Sequence, residues 1–213
     1  MKRIFFGGLL ILSAGLRSVM ADVTQWPFKV YLDDQLVGDH RFTLKGQGDR
    51  RILESVAKFD VRFLGIGFYH YDHVSNESWK RNCLESIRAQ TDDNGTRVSL
   101  QGTASPESFS LIVDGATHTF PGCIMTFAYW NPDMLQQKQL LNPQTGELTS
   151  VSIRPLGRET MKVGIDKRSV DHYLLVSPQF EIDLWYDLNG QWVALDSRLE
   201  NNKKLRYRLD QPS

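Results

Sequence analysis

The sequence lacks most features that identify a function directly. It has only two cysteines, and no long apolar run follows its first 21 residues. A membrane-spanning helix needs about 20 apolar residues, so the remainder is not predicted to cross a membrane. The patterns G-x-x-x-x-G-K-[ST], G-x-G-x-x-G, G-x-S-x-G and H-E-x-x-H are all absent. We therefore expect neither a cofactor nor a metal ion, and no reaction is indicated.

A basic cluster is also missing. The chain has 25 Lys and Arg against 25 Asp and Glu. Loss of Lys2, Arg3 and Arg17 with the first 21 residues would leave 22 basic against 25 acidic residues, a net charge of −3. Nucleic-acid binding requires a clustered basic surface, so no nucleic-acid partner is predicted.

The N-terminus has the pattern of a secretory signal peptide. Lys2 and Arg3 are followed by an apolar run from Ile4 to Leu16, and the small residue Ala21 suits a cleavage site. We expect residues 1–21 to be removed and the mature chain to be periplasmic. Residues 22–213 are then long enough for one substantial core, predicted to be a single β-roll domain.

The two cysteines, Cys83 and Cys123, are predicted to form a disulfide. An even cysteine count in an exported chain favours pairing, and two buried thiols are the alternative. A closed loop of about 40 residues would stabilise the fold by roughly 4 kcal/mol on the chain-entropy model.

Strand-period alternation dominates residues 22–213. In one example, Leu53, Ala57 and Phe59 share a face opposite Glu54 and Lys58. Positive-φ turn dipeptides separate such segments, at Asn94-Gly95, Asp114-Gly115 and Asn189-Gly190. The pattern predicts an all-β fold: a large antiparallel, curled sheet, as in a spiral β-roll or open barrel, with one short helix.

Residues 131–141 are the exception to this alternation. Asn131 suits a helix cap, Pro132 suits the first helical position, and the Asn142-Pro143 pair ends the segment. We predict a helix of two to three turns that buries Leu135 and at least one of Leu140 and Leu141. It would act either as a plug for the core or as a lid over a ligand site.

The motif set resembles an exported bacterial family of unknown function. The resemblance is also to an uncharacterised periplasmic family of spiral β-rolls, and it implies a periplasmic all-β roll with no agreed activity. It extends from about Phe28 to Leu209. The motifs that carry it are Glu77-x-Trp79, Cys83-Leu84, Thr91, Asn94-Gly95, Tyr129-Trp130-Asn131-Pro132, Leu140-Leu141-Asn142, Thr145-Gly146-Glu147, Asp183-Leu184-Trp185-Tyr186-Asp187, Trp192-Val193 and Leu205-Arg206-Tyr207.

The leading functional prediction is non-enzymatic binding of a hydrophobic or lipid-like ligand, or of an envelope partner. The chain is rich in aromatics, with 7 Tyr and 11 Phe, and a rolled sheet with such a supply can enclose an apolar cavity. His40 alternates with Leu36, Phe42 and Leu44 and is predicted to point inward. His40, Tyr129 and Trp130 are therefore the candidate ligand-binding residues.

Two alternatives remain open: an envelope enzyme of unknown reaction, and a structural or assembly protein. The enzyme would use His40 or the cluster of His70, Asp72 and His73. On a strand, His70 and Asp72 share one face while His73 lies on the other, so the two histidines bind one metal only if the strand bends. Glu77 and Trp79 suit either paired-carboxylate chemistry or a solvated face.

Overall fold

The computed structural model describes residues 22–62, 68–199 and 203–210, which form fifteen strands and one short 3₁₀ helix, Pro132–Gln136. The predicted signal peptide, residues 1–21, lies outside the described residues. The strands are β1 (Asp22–Leu32), β2 (Gln35–Gln47), β3 (Arg50–Arg62), β4 (Phe68–Lys80), β5 (Cys83–Asp93), β6 (Thr96–Ala104), β7 (Ser108–Val113), β8 (Ala116–Pro121), β9 (Gln139–Leu141), β10 (Leu148–Ser150), β11 (Ser152–Val163), β12 (Asp166–Val176), β13 (Glu181–Asp187), β14 (Trp192–Arg198) and β15 (Lys204–Leu209).

Thirteen of these strands form one antiparallel sheet. Its order is β11-β12-β13-β14-β15-β1-β2-β3-β4-β5-β6-β7-β8, so two meanders meet where β1 pairs with β15. The edges β8 and β11 do not pair with each other, and the sheet stays open. The predicted all-β class, with a large antiparallel curled sheet and one short helix, is confirmed.

Residues 122–151, here called the inner segment, lie against the concave face of this sheet. The Thr91 hydroxyl of β5 donates to the carbonyl oxygen of Gln144 at 3.1 Å. From the other meander, the Tyr186 hydroxyl of β13 donates to the carbonyl oxygen of Tyr129 at 2.9 Å. Both halves of the sheet therefore curl around the same stretch of chain, which fills much of the core.

The strands follow the predicted alternation closely. In β3, Leu53, Ser55, Ala57, Phe59 and Val61 are buried, while the residues between them are exposed. The predicted turns at Asn94-Gly95 and Asp114-Gly115 each place both residues at positive φ between adjacent strands. At Asn189-Gly190 only the glycine has positive φ, and four residues separate β13 from β14, so that connection is longer than predicted.

One residue on β2 faces the opposite side from the prediction. Leu36 is 53% exposed, and its neighbour Val37 is buried. The pairing of β1 with β2 shifts by one residue between Val30 and Tyr31, and this β-bulge reverses the alternation locally. His40 and Phe42 lie beyond the bulge and keep their predicted inward orientation.

The helix predicted over residues 131–141 is too long. Its start is correct, because the Asn131 side chain accepts a hydrogen bond from the Asp133 backbone at 3.1 Å and Pro132 occupies the first turn. The helix ends at Gln136, and Gln139–Leu141 forms β9, paired with β10. The Leu141 N–H donates to the carbonyl oxygen of Met125 at 2.9 Å, so long-range pairing replaces the helical bond.

Burial along the inner segment supports the plug interpretation in modified form. Leu140 and Leu141 are both fully buried, as consecutive residues in an extended chain enclosed on two sides can be. Met134 is the buried residue of the 3₁₀ helix, whereas Leu135, expected to be buried, is only half-buried against the core. The disulfide Cys83–Cys123 is formed as predicted, with the Cα atoms 5.2 Å apart, and it fastens the start of this segment to β5.

Candidate functional site

A cavity of about 350 Å³ lies between the sheet and the inner segment. The inner segment contributes Phe127 and Tyr129, and β14 contributes Trp192, whose ring lies 5.0 Å from that of Tyr129. The opposite wall is polar and comes from β2, β3 and β4, with His40, Ser55 and His73. The site is therefore an aromatic pocket with one hydrogen-bonding side, the combination typical of small-molecule sites.

His40 anchors one part of the polar wall. Its ring stacks on Phe42 at 4.0 Å, Nε2 lies 2.7 Å from the Ser55 hydroxyl, and Nδ1 lies 3.4 Å from the Tyr207 hydroxyl. Gly38, two residues before His40, allows β2 to approach β3 closely, because a Cβ there would lie 2.0 Å from the carbonyl oxygen of Lys58 on β3. Burial, and secondarily the charge of His73, lower the pKa of His40 well below its ordinary value of 6.5.

His73 forms the other part and is only 2% exposed. Its Nδ1 lies 2.9 Å from the Thr91 hydroxyl, which itself contacts the carbonyl oxygen of Gln144 in the inner segment. Burial lowers the pKa of His73 from 6.5 to about 4, so the ring is neutral near neutral pH.

A tight loop holds the Gln144 carbonyl against Thr91. The Asn142 side chain accepts from the Gln144 backbone at 2.9 Å, and the Gly146 N–H donates to the Asn142 carbonyl at 2.8 Å. Gly146 has φ +77°, and a Cβ there would lie 2.4 Å from Val113. The Leu-Leu-Asn and Thr-Gly-Glu motifs thus build this loop.

The three predicted ligand-binding residues divide between two places. His40 and Tyr129 line the cavity together. Trp130 instead packs edge-on against Trp79, with ring centroids 5.6 Å apart, and lies beneath the Arg51 guanidinium at 5.5 Å. It borders a separate surface depression. A role for Trp130 in binding stays a prediction and does not concern this cavity.

Glu77 lies in the interior of the sheet, and the solvated face considered for it is wrong. Its carboxylate is 3% exposed and accepts hydrogen bonds from Trp79 Nε1 at 3.0 Å, Thr126 Oγ1 at 3.2 Å and Ser75 Oγ at 3.2 Å. Burial raises its pKa from 4.5 to about 7, against the opposing effect of those three donors. Glu77 thereby joins β4 to Thr126 of the inner segment.

The cluster of His70, Asp72 and His73 divides between the two faces of β4, as the strand period predicts. His70 contacts the carboxylates of Asp60 at 2.8 Å and Asp72 at 2.7 Å on the outer face, away from the cavity. Hydrogen bonds that the His70 ring donates to those two carboxylates raise the pKa of the ring above 6.5. Across residues 22–62, 68–199 and 203–210, no three His, Cys, Asp or Glu side chains converge to hold a metal ion.

Comparison with known proteins identifies the family. Residues 28–210 match the family described as "Domain of unknown function (DUF6134)". The chain belongs to the DUF6134 family. Its sequence resemblance to an uncharacterised domain family is thereby confirmed, while no curated protein matches it.

The fold of this DUF6134 protein also has a solved counterpart. The crystal structure titled "Beta-barrel-like Protein of Domain of Unknown Function DUF1849 from Brucella abortus" aligns with a TM-score of 0.61 at 9% identity. The alignment covers 91% of this chain and 97% of that chain. At this identity the likeness shows a shared fold and transfers no residue roles. In the part of the DUF6134 chain that is described, no helix is long and apolar enough to cross a membrane.

Proposed function

We propose that this protein binds a small, largely apolar molecule in the cavity between the curled sheet and the inner segment. The observation that carries the proposal is the 350 Å³ space itself, lined by aromatic rings on one side and by two buried histidines on the other. Clefts of about 300–1,000 Å³ with aromatic lining and a few polar groups are typical small-molecule sites. An apolar ligand would bury its surface there at roughly 25 cal/mol per Å² of apolar area removed from water.

His40 and Tyr129 are the predicted binding residues that this proposal retains. Tyr129 stands against Trp192 and offers an aromatic surface, while His40 presents a neutral, hydrogen-bonded ring. The hydrophobic or lipid-like ligand predicted from the aromatic content matches the lining, whereas a highly charged ligand does not.

The protein acts outside the cytoplasm on this proposal. The signal-peptide pattern in residues 1–21 and the Cys83–Cys123 disulfide both support export, since disulfides persist in oxidising compartments. N-terminal sequencing of protein from a periplasmic extract should begin at Asp22. A mature chain that still begins at Met1 would contradict export by this route.

Native mass spectrometry of protein purified from a periplasm tests the binding function. We expect a bound apolar species that denaturation releases. Ser197 lines the cavity, and Ser197→Leu would fill part of it and should abolish this adduct. Ser110→Leu makes the same change at an exposed site on β7 and should leave the adduct in place. Equal retention by both variants would show that the cavity is not the binding site.

A further inference from the structure

The hydrogen bonds around His73 determine which of its ring nitrogens carries the proton. The Thr91 hydroxyl has a single hydrogen, and its contact with the Gln144 carbonyl uses it, because a carbonyl oxygen can only accept. The Thr91 oxygen can then only accept from His73 Nδ1, 2.9 Å away. A neutral His73 ring therefore carries its hydrogen on Nδ1 and leaves a lone pair on Nε2.

That lone pair has no partner among the described residues. Nδ1 makes the one hydrogen bond that His73 forms to them, and the ring lines the cavity while being only 2% exposed. His40 differs, since both of its ring nitrogens face a hydroxyl, of Ser55 and of Tyr207. A ligand that supplies a donor to this lone pair gains a hydrogen bond, and with it affinity.

The charged residues around the cavity limit the kinds of hydrogen-bond donor that a ligand can carry into it. Its described lining contains no Asp or Glu, so a bound ammonium group would be buried without a counter-ion. The lining includes one cationic side chain, Arg198, which is 60% exposed and lies 3.8 Å from the carboxylate of Glu181, so its charge is already paired. A carboxylate can only accept hydrogen bonds and would face the Nε2 lone pair directly. An uncharged hydroxyl avoids both penalties.

We infer that the ligand is an uncharged amphiphile with an apolar body whose polar end donates a hydrogen bond to His73 Nε2, as the hydroxyl of an aliphatic alcohol or a phenol does. This inference rests on the proposed binding function and specifies the chemistry of its ligand. Thr91 is the positioning residue for it, because its hydroxyl, held by the Gln144 carbonyl, orients the His73 proton while Thr91 itself does not line the cavity.

Four probes of equal chain length test the inference: octanol, octanone, octanoate and octylamine. Binding to the oxidised mature protein is measured by calorimetry at neutral pH. Octanol should bind at least about fivefold more tightly than octanone, which lacks a donor, and the two charged probes should bind more weakly still. His73→Phe should remove the preference for octanol, whereas His70→Phe, the same change on the outer face of β4, should preserve it.

A second measurement does not require a folded His73 variant. In the wild-type protein, the ¹⁵N resonances of the His73 ring should show the Nδ1–H form, and octanol but not octanone should shift the Nε2 resonance. Thr91→Val removes the acceptor for Nδ1–H and should reduce the alcohol preference. Equal affinity for octanol and octanone, tighter binding of octanoate, or an Nε2–H form in the free protein would each overturn the inference while leaving the binding function intact. Absence of binding by all four probes would overturn the binding function as well.

Discussion

Two buried titratable groups lie four residues apart on the same face of β4, and their surroundings differ. Glu77 has donors on both carboxylate oxygens, from Trp79, Ser75 and Thr126. His73 has one partner, Thr91, and a ring nitrogen open to the cavity. Both connect β4 to the inner segment, at Thr126 and, through Thr91, at Gln144. The satisfied group stabilises the fold, and the half-satisfied one marks where a ligand would bind.

Substitutions in the packed region around Glu77 and Trp79 should lower the stability of the fold without changing ligand affinity. Trp130→Ala removes a buried indole that packs on Trp79, and we expect a loss of about 3–5 kcal/mol in the free energy of unfolding. Because Trp130 lies outside the cavity, octanol affinity measured on the folded fraction should stay unchanged. A loss of affinity larger than the unfolded fraction explains would place Trp130 in the binding site. The packed region around Glu77 and the cavity beside His73 would then not be separate in function.

Loss of the disulfide should give the second-largest decrease in the free energy of unfolding. Cys83 and Cys123 are 40 residues apart, and replacing both with serine should cost about 2–4 kcal/mol by freeing that loop in the unfolded chain. Chemical denaturation of the oxidised wild type and the double variant measures this difference. An unchanged denaturation midpoint would show that Glu77 and the packed core hold the inner segment without the covalent link.

Glu77→Gln should change how stability depends on pH. The folded pKa of about 7 exceeds the ordinary 4.5, so the folded state binds more protons within that window. The stability contribution of Glu77 is therefore complete below pH 4.5 and is lost as the pH rises through 7. The Glu77→Gln variant keeps similar hydrogen-bonding geometry without this loss. Its stability relative to wild type should increase by about 1–3 kcal/mol between these pH values.

Urea denaturation of both proteins at closely spaced pH values tests the Glu77 prediction. Glu54→Gln, the same change at an exposed position on β3, is the control and should follow the wild-type profile within error. A constant difference between the Glu77→Gln variant and wild type from about pH 4 to 8 would indicate that Glu77 titrates as an ordinary carboxyl group.

His73→Gln should show a smaller effect of opposite sign. The folded pKa of about 4 lies below the ordinary 6.5, so the contribution of His73 is present above pH 6.5 and is lost as the pH falls through 4. The variant should gain about 1–2 kcal/mol relative to wild type on acidification across this window. The same denaturation series measures it. A variant that loses stability on acidification relative to wild type would show that His73 is charged in the folded state.

Much of this fold was predictable because strand patterns are local. The alternation along β3, the turns at Asn94-Gly95 and Asp114-Gly115, and the inward orientation of His40 all follow from neighbouring residues. The local predictions failed where pairing with a distant segment of the chain changed the backbone. The bulge that buries Val37 comes from pairing with β1, and the end of the predicted helix was displaced by pairing with Met125.

The candidate site was only partly predictable. His40 and Tyr129 were identified from an inward strand face and a conspicuous aromatic segment, and they share the cavity. His73 was assigned to the correct face, but its special state depends on Thr91 and Gln144, which are 53 residues apart in the chain. The sequence did not indicate that Glu77 is buried, because alternating charged and aromatic residues occur both on solvent-exposed strand faces and on faces that another segment covers.

The sequence by itself determined the all-β class, the antiparallel hairpins, the start of the short helix and the pairing of the only two cysteines. Backbone geometry over a few residues and simple parity are sufficient for these features. Tertiary structure alone decided that the inner segment lies against the concave face of the curled sheet, that Glu77 is buried against Thr126, and that the Nε2 lone pair of His73 faces a cavity. Each depends on which atoms satisfy a buried polar group, and those atoms come from segments that only the fold brings together.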